Sequence, residues 1–348
     1  MVKAKVKVGL AGYGVIGKRV ADAVALQDDM ELFGIAEVSA DYRIRAAIRK
    51  KYPIYASLPE KAEEMKKNGV ELAGNLQDLL KEVDVMIDCT PAGVGAKNKP
   101  LYEKNGVKAI FQGGEKHSLV QASFVAQCNY EEALGKDFVR VVSCNTTGLC
   151  RVISALHNSF KVKKARVALM RRAVDPWESH LGGVINTVLP ETHVPSHQGP
   201  DAQTILHDLN IVAMAAKGPF NLSHLHFAMI EINKDATTDD AIKAFMENPR
   251  TILVNASNGI AAPNSVIEFV RDLGRPRGDL WEVAVWGDIL TVDQKEKEVY
   301  IVYQVHNEAI VVPENIDAVR AMTGLEENAT KSISKTDKSL GIMHGAVS

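Results

Sequence analysis

The chain has 348 residues, of which 46% are hydrophobic and 24% charged, enough for two domains with separate cores. Its formal net charge of −2 gives no long-range pull toward nucleic acid or an anionic membrane, so neither is expected as a partner. No run reaches the roughly 18 apolar residues of a membrane-spanning helix, and the expected location is cytoplasmic.

The opening run MVKAKVKVGLAGYG passes directly into a glycine loop and reads as a first strand, not a leader. Residues 5–10, KVKVGL, alternate and then turn apolar. Gly12-Tyr13-Gly14-Val15-Ile16-Gly17 follows, and KRVADAVALQ continues with Val20, Ala23 and Val24 at helical spacing. Strand, G-x-G-x-x-G and helix in this order point to a dinucleotide. Gly12 allows the tight turn, Gly14 lets the backbone approach a pyrophosphate, and Gly17 lets helix and strand pack closely. The amides at Val15 and Ile16 open the helix toward phosphate charge.

Strand and helix go on alternating. MELFGIAEV (30–38) is a predicted strand and DYRIRAAIRK a helix; VDVMIDCTP (83–91) and VKAIFQGG (107–114) are near-continuous apolar strands suited to a parallel sheet. Their carboxyl ends place Thr90, Pro91, Gln112, Gly113 and Gly114 near the cofactor. Glu37, at the end of the second strand, is either a ribose 2′-hydroxyl ligand or a solvated strand end. Arg43 and Arg45 follow closely and offer a 2′-phosphate its counter-charge.

After about residue 140 the texture changes. VRVVS (139–143) is a predicted strand, followed by a helix with Leu149, Val152, Ile153, Leu156 and Phe160 on its apolar face. KKARVALMRRAVDP carries a strand that ends in Arg171 and Arg172. LSHLHFAMIEI (222–232) has period two and puts His224 and His226 on one face. Helices DAIKAFMENP and NSVIEFVRDLG precede WEVAVWGDILTV and EVYIVYQVHNEAIVVP (298–313), two strands joined by the turn DQKEKE. The second half thus predicts a mixed, mainly antiparallel sheet with helices on one side, and the tail beginning ENIDAVRAM predicts an amphipathic helix.

Four cysteines, Cys89, Cys128, Cys144 and Cys150, lack the C-x-x-C pairing of tetrahedral zinc sites, and neither a metal nor a disulfide framework is expected. Cys144 differs from the rest in its position at the strand-to-helix junction. Orphan amides and the positive helix end favour a thiolate there, which predicts a depressed pKa. Cys150 falls on the apolar side of the same helix. A nucleophile needs a partner that handles protons, and the strand histidines are the candidates. Arg171 and Arg172 suit a phosphate, since a guanidinium offers forked donors and permanent charge.

GYGVIGKRVADAV, FQGGEKH, VVSCNTTGLCR, RRAVDP, PSHQGPD, HLH and VPENIDAVRA, in this order and spacing, resemble the archaeal type of glyceraldehyde-3-phosphate dehydrogenase from residue 5 to about 340. The resemblance implies an α/β chain: a Rossmann-type parallel sheet over 1–140, completed by a C-terminal helix at 314–348, and an α+β catalytic domain over 141–313. It implies a homotetramer using NAD, NADP or both, with glyceraldehyde 3-phosphate and inorganic phosphate as substrates. It makes Cys144 the nucleophile and His224 the catalytic base. Ser143, Asn145, Arg171 or Arg172, His197 and Gln198 hold substrate and phosphate, while Gly12 to Gly17, Gly113, Gly114, Arg172 and Gln304 meet the cofactor. Gln198 stands where many relatives carry a histidine, and Glu37 stands where a basic residue is expected. The competing readings are a Rossmann-type semialdehyde dehydrogenase, of aspartate-semialdehyde or N-acetylglutamyl-semialdehyde type, and a nucleotide-binding regulator without catalysis.

Overall fold

The computed structural model describes residues 5–181 and 184–347. The charged start at residues 1–4 and Ser348 at the end of the tail lie outside that range. The chain divides into two compact units. One runs to Ser143 and takes up Val312–Leu340, and the other is Cys144–Val311 with the residues from Gly341 onward.

The first unit is built on a sheet of eight strands among the described residues: β1 (Val6–Ala11), β2 (Met30–Glu37), β3 (Ile54–Ala56), β4 (Gly74–Asn75), β5 (Val85–Asp88), β6 (Lys108–Phe111), β7 (Ala122–Phe124) and β8 (Phe138–Val141). The order is β4-β3-β2-β1-β5-β6-β8-β7, and every pairing is parallel. All four residues of β5 are buried, as the unbroken apolar run requires of a strand covered on both faces. The winding reverses at β1, which lies between β2 and β5, and the carboxyl ends there deliver Gly12, Glu37 and Cys89 to one edge.

The tail differs from its expectation. It forms two helices, Val312–Thr323 and Ala329–Leu340, because Gly324 at φ +67° ends the first. Both pack into the first unit. Arg320, fully buried, donates to Asp29 at 2.9 and 3.1 Å, to Gln27 at 2.7 Å and to Thr336 at 2.5 Å. The residues after Leu340 leave this unit, and Gly345–Ala346 pairs with a strand of the other, so 314–348 is not one helix of the first domain.

The second unit carries nine strands among the described residues: β9 (Val162–Arg171), β10 (Leu189–Pro190), β11 (Ile211–Lys217), β12 (His224–Ile232), β13 (Thr251–Val254), β14 (Val283–Trp286), β15 (Thr291–Asp293), β16 (Glu298–Val305) and β17 (Gly345–Ala346). Five of the pairings are antiparallel and three parallel, hence a mixed, mainly antiparallel sheet. Two predicted strands were drawn too long. WEVAVWGDILTV is broken into β14 and β15 at Gly287, and the strand from 298 stops at Val305, after which the chain turns into the helix at Val312. The helix Cys144–Phe160 lies against β9, β12, β14 and β16. Its fully buried Arg151 donates to the carbonyls of Trp281 at 2.7 Å and Ile310 at 3.1 Å, which fixes it against two loops of the same unit. Among the described residues no helix is long and apolar enough to cross a membrane.

Candidate active site

Cys144 is the first residue of its helix and is partly exposed. Its Sγ lies 3.4 Å from Nε2 of His224 on β12. Strand periodicity puts His226 on the same buried face, and its Nε2 meets Oδ1 of Asn145 at 2.9 Å. Two alternate strand residues thus engage two consecutive residues at the helix start, and the two imidazoles stack with centroids 6.4 Å apart.

The protonation states follow from the surroundings. Burial holds the His224 pKa well below the ordinary histidine value, aided by His226, Arg172 and Arg171. The backbone N–H of Arg172 donates to Nδ1 of His224 at 3.1 Å. The neutral ring therefore carries its proton on Nε2 and turns a donor toward the sulfur. His226 is held at about 3 by burial and Arg171, so it too is neutral. At Cys144 the sequence expectation is reversed. Burial pushes the thiol above its ordinary value, and the opposing pull of Arg172, the Asn145 amide and Arg171 does not overcome it.

Arg171 and Arg172 each have a carboxylate partner: Glu191 at 2.5 Å for the first, Asp175 at 2.7 Å for the second. Each nevertheless keeps a buried Nε without a partner, as does the amide nitrogen of fully buried Gln198. Three buried donors left over in one unit are the provision an anion with many acceptor oxygens would use. Ser196 joins this group: its hydroxyl donates to Glu191 at 2.6 Å and lies against Gln198 Oε1. His197 stands, exposed, at the start of the short helix Gln198–Gln203, and partial desolvation of its ring together with Arg171 lowers its pKa. Asp201 of that helix accepts from Thr146 at 2.7 Å, which ties it to the cysteine helix.

In the first unit Gly12 adopts φ +84°, and a Cβ on Gly17 would stand 2.0 Å from the Gly12 carbonyl oxygen, so both positions demand glycine. A Cβ on Gly14 would meet only Arg43 Nη1, at 3.9 Å. The helix Val15–Ala25 begins with no side-chain cap and no acid in its first turn, which leaves its positive end for a phosphate. A dinucleotide fits this cradle.

The acid at the strand end is engaged by backbone amides. Glu37 Oε2 accepts from the Tyr13 amide at 2.8 Å and Oε1 from the Val38 amide at 2.8 Å, so the carboxylate fastens the glycine loop to β2. Of the two arginines, Arg45 reaches away to the Asn68 carbonyl, while Arg43 lies beside the loop, gripped by Asp41. Asp88, buried at the end of β5, accepts from the Thr90 amide at 3.0 Å, from Asn98 at 2.9 Å and from Tyr102 at 2.8 Å, which sets the Thr90-Pro91 turn. Gly113 is needed for packing, since a Cβ there would come within 2.3 Å of the Ser143 nitrogen. A Cβ on Gly114 would meet Ala92 at 3.1 Å. Partly exposed Ser143 is the last residue before the chain passes into the second unit. Gln304 is fully buried, its amide nitrogen donating to Ser223 Oγ at 2.8 Å and the Pro263 carbonyl at 3.3 Å, while its Oε1 has no hydrogen-bond partner.

The glyceraldehyde 3-phosphate dehydrogenase C-terminal domain pattern matches residues 143–272, and the dihydrodipicolinate reductase N-terminus pattern matches residues 6–118. A glyceraldehyde-3-phosphate dehydrogenase of Methanothermus fervidus is 47% identical over 97% of this chain and 99% of its own. One from Methanococcoides burtonii is 49% identical over the same shares. The chain belongs to the glyceraldehyde-3-phosphate dehydrogenase family. Among solved structures, aspartate semialdehyde dehydrogenase II of Vibrio cholerae, complexed with ASA, covers 93% of this chain and 98% of its own with a TM-score of 0.67. Its identity is 11%, so the likeness is one of fold alone. The family assignment supports the first reading of the sequence over the semialdehyde alternatives, and places an oxidoreductase where a silent regulator was the other possibility.

What sequence reasoning missed are the residues packed around the candidate side chains: Asp175, Glu191, Ser223 and Asn307. Asp175 was visible in the RRAVDP segment as an acid close behind two arginines.

Proposed function

We propose that this family member oxidises glyceraldehyde 3-phosphate, with inorganic phosphate, to 1,3-bisphosphoglycerate as NAD or NADP is reduced, serving glycolysis and gluconeogenesis in the cytoplasm. The observation that carries the reading is Cys144 Sγ at 3.4 Å from His224 Nε2 at a helix start. Once its thiol proton has passed to solvent, partly exposed Cys144 adds as thiolate to the aldehyde carbon and forms the carbon–sulfur bond, leaving charge on the former carbonyl oxygen. His224, with its proton on Nε2, donates to that oxygen; this is a donor's role in place of the base the resemblance implies. A nicotinamide held at the glycine loop would supply the hydride acceptor for oxidation of the Cys144-bound carbon to a thioester. Phosphate oxygen then attacks the acyl carbon, the carbon–sulfur bond breaks, and Cys144 departs as thiolate. Arg171, Arg172 and Gln198, with His197 and Asn145 beside them, hold the phosphate groups through the donors left unpartnered.

The glycine loop receives the pyrophosphate, with Gly12, Gly14, Val15, Ile16 and Gly17 supplying the turn and the amides. We read dual cofactor use from Glu37 and Arg43 together: the acid is occupied with backbone amides, and the cation beside Gly14 is placed to meet a 2′-phosphate.

Self-association rests on the open face of the second sheet. Met214, Ala168, Phe227 and Val302 form one row across β11, β9, β12 and β16, and Val212, Arg166, Met229 and Tyr300 form the next. Met214 is 57% exposed and Phe227 42%, an apolar patch of the kind subunits cover. A homotetramer is the assembly we expect. A steady-state assay with glyceraldehyde 3-phosphate, phosphate and each cofactor tests the activity: turnover should require phosphate, and phosphate-independent oxidation would refute the thioester exchange.

A further inference from the structure

Ser223 stands immediately before His224 with φ +67°, a left-handed conformation that non-glycine residues rarely adopt, and it is buried. Strand β12 begins at the next residue, so the path of the backbone at Ser223 decides where the His224 ring points. Strain held at such a point needs surroundings that enforce it. The Ser223 N–H donates to Asn307 Oδ1 at 2.9 Å, and its hydroxyl accepts from Gln304 at 2.8 Å. Asn307, itself buried, turns its Nδ2 to Asp175 Oδ1 at 3.1 Å. Asp175 pairs with Arg172 at 2.7 Å, and the Arg172 backbone N–H donates to His224 Nδ1 at 3.1 Å. The contacts therefore close a ring: Ser223, Asn307, Asp175, Arg172, His224 and back along the chain to Ser223.

We propose that Asn307 is a positioning residue for the reaction: its amide bridges the left-handed Ser223 to Asp175 and so aims His224 Nε2 at Cys144. The proposal rests on the reading of Cys144 and His224 as the reacting pair. An amide suits both ends of the bridge. Its oxygen accepts the Ser223 N–H and its nitrogen donates to a carboxylate. An aspartate at 307 would set two carboxylates against each other, and an alanine would leave the buried Ser223 N–H without its partner and take one of two donors from Asp175 Oδ1. Asn307 needs no contact with substrate to matter, because displacing a reacting group by about 1 Å is enough to cost on the order of 100-fold in rate.

The test compares Asn307→Ala, Asn307→Asp and the double variant Ser223→Gly/Asn307→Ala with the unmodified chain. Kcat, KM and the pH profile of Cys144 alkylation by iodoacetamide are measured for each. Asn307→Ala should lower kcat by about 10- to 100-fold with a smaller change in KM, and should shift the alkylation profile as His224 leaves the sulfur. The double variant should recover much of both, since glycine takes φ near +67° without a clamp. Asn307→Asp, close to isosteric, should lose kcat and move the alkylation profile to higher pH through its added charge; it gives the answer if the alanine variant does not fold. Unchanged kcat and alkylation in Asn307→Ala and Asn307→Asp overturn the proposal, and so does a loss that the glycine does not relieve. The alkylation measurements need no turnover, so they read the clamp even if glyceraldehyde 3-phosphate proves not to be the substrate. An inert but normally alkylated wild type would count against that substrate, not against the clamp.

Discussion

Cys144 and His224 meet with their pKa values displaced in opposite directions, the thiol upward and the imidazole downward, and burial is the first cause of both. The neutral pair is therefore favoured at neutral pH in the free protein. Alkylation of Cys144 should rise with pH and reach its midpoint above the ordinary thiol value of about 8.5, with no plateau at low pH. His224, neutral throughout, should contribute no limb near pH ~6.5 to the kcat profile. A midpoint well below that of a free thiol would mean that the helix end outweighs burial after all. Cys144→Ser should abolish oxidation with cofactor binding retained, whereas Cys150→Ser should keep most of the activity, because Cys150 is buried on the helix's core side. His226 should matter more than its spacing alone suggests. His226→Ala removes the donor that holds Asn145, and we expect a loss of about tenfold in kcat/KM, on the scale of one hydrogen bond to a buried group. At the cofactor, Arg43→Ala should raise the KM for NADP by roughly 10- to 100-fold and leave NAD nearly unaffected, the scale of one charge-assisted hydrogen bond. Glu37→Lys should weaken both cofactors, since it removes the acceptor that fastens the Tyr13 amide; a clean switch toward NADP would contradict that role.

At the scale of elements, the strand histidines and the helix-start cysteine were legible because each depends on local periodicity. His224 and His226 alternate along β12, and Leu149, Val152 and Ile153 mark the inner face of the cysteine helix. Their partners were not legible. Asn307 reaches Ser223 across 84 positions and Glu37 reaches Tyr13 across 24, contacts created by strand pairing and by the loop's return, with no trace in local spacing. The thiol pKa was misjudged for the same reason: a helix start can be read from sequence, but the burial that opposes it cannot. The C-terminal helices also have a predictable chemistry. Burial would raise the Asp29 pKa, but hydrogen bonds from Arg320 and Lys335 outweigh it and leave the value lowered. A carboxyl whose folded pKa is depressed contributes stability above its unfolded value and loses it as pH falls through the folded one. Thermal melts should show Asp29→Asn less stable than wild type at neutral pH, with the gap closing below about pH 4. A gap that stays constant with pH would remove Asp29 from the acid response.

For the whole molecule, the two units divide the chemistry. The first supplies a glycine cradle whose helix has no acid in its first turn, and the second supplies the proposed nucleophile, its neutral histidine neighbour and the unpartnered arginine nitrogens. The exposed rows around Phe227 give the assembly prediction: Phe227→Glu with Met214→Glu should lower the mass found by analytical ultracentrifugation, and an unchanged mass would place the subunit contact elsewhere. The central claim is that Cys144 carries the acyl group between oxidation and phosphate transfer. Its most direct test is rapid mixing of the protein with glyceraldehyde 3-phosphate and NAD or NADP without phosphate, followed by acid quench and mass determination. The account predicts a burst of reduced cofactor up to one per active site and a matching acyl adduct on Cys144, discharged when phosphate is added. Continuous turnover without phosphate, or an adduct that forms equally well on Cys144→Ser, would contradict it.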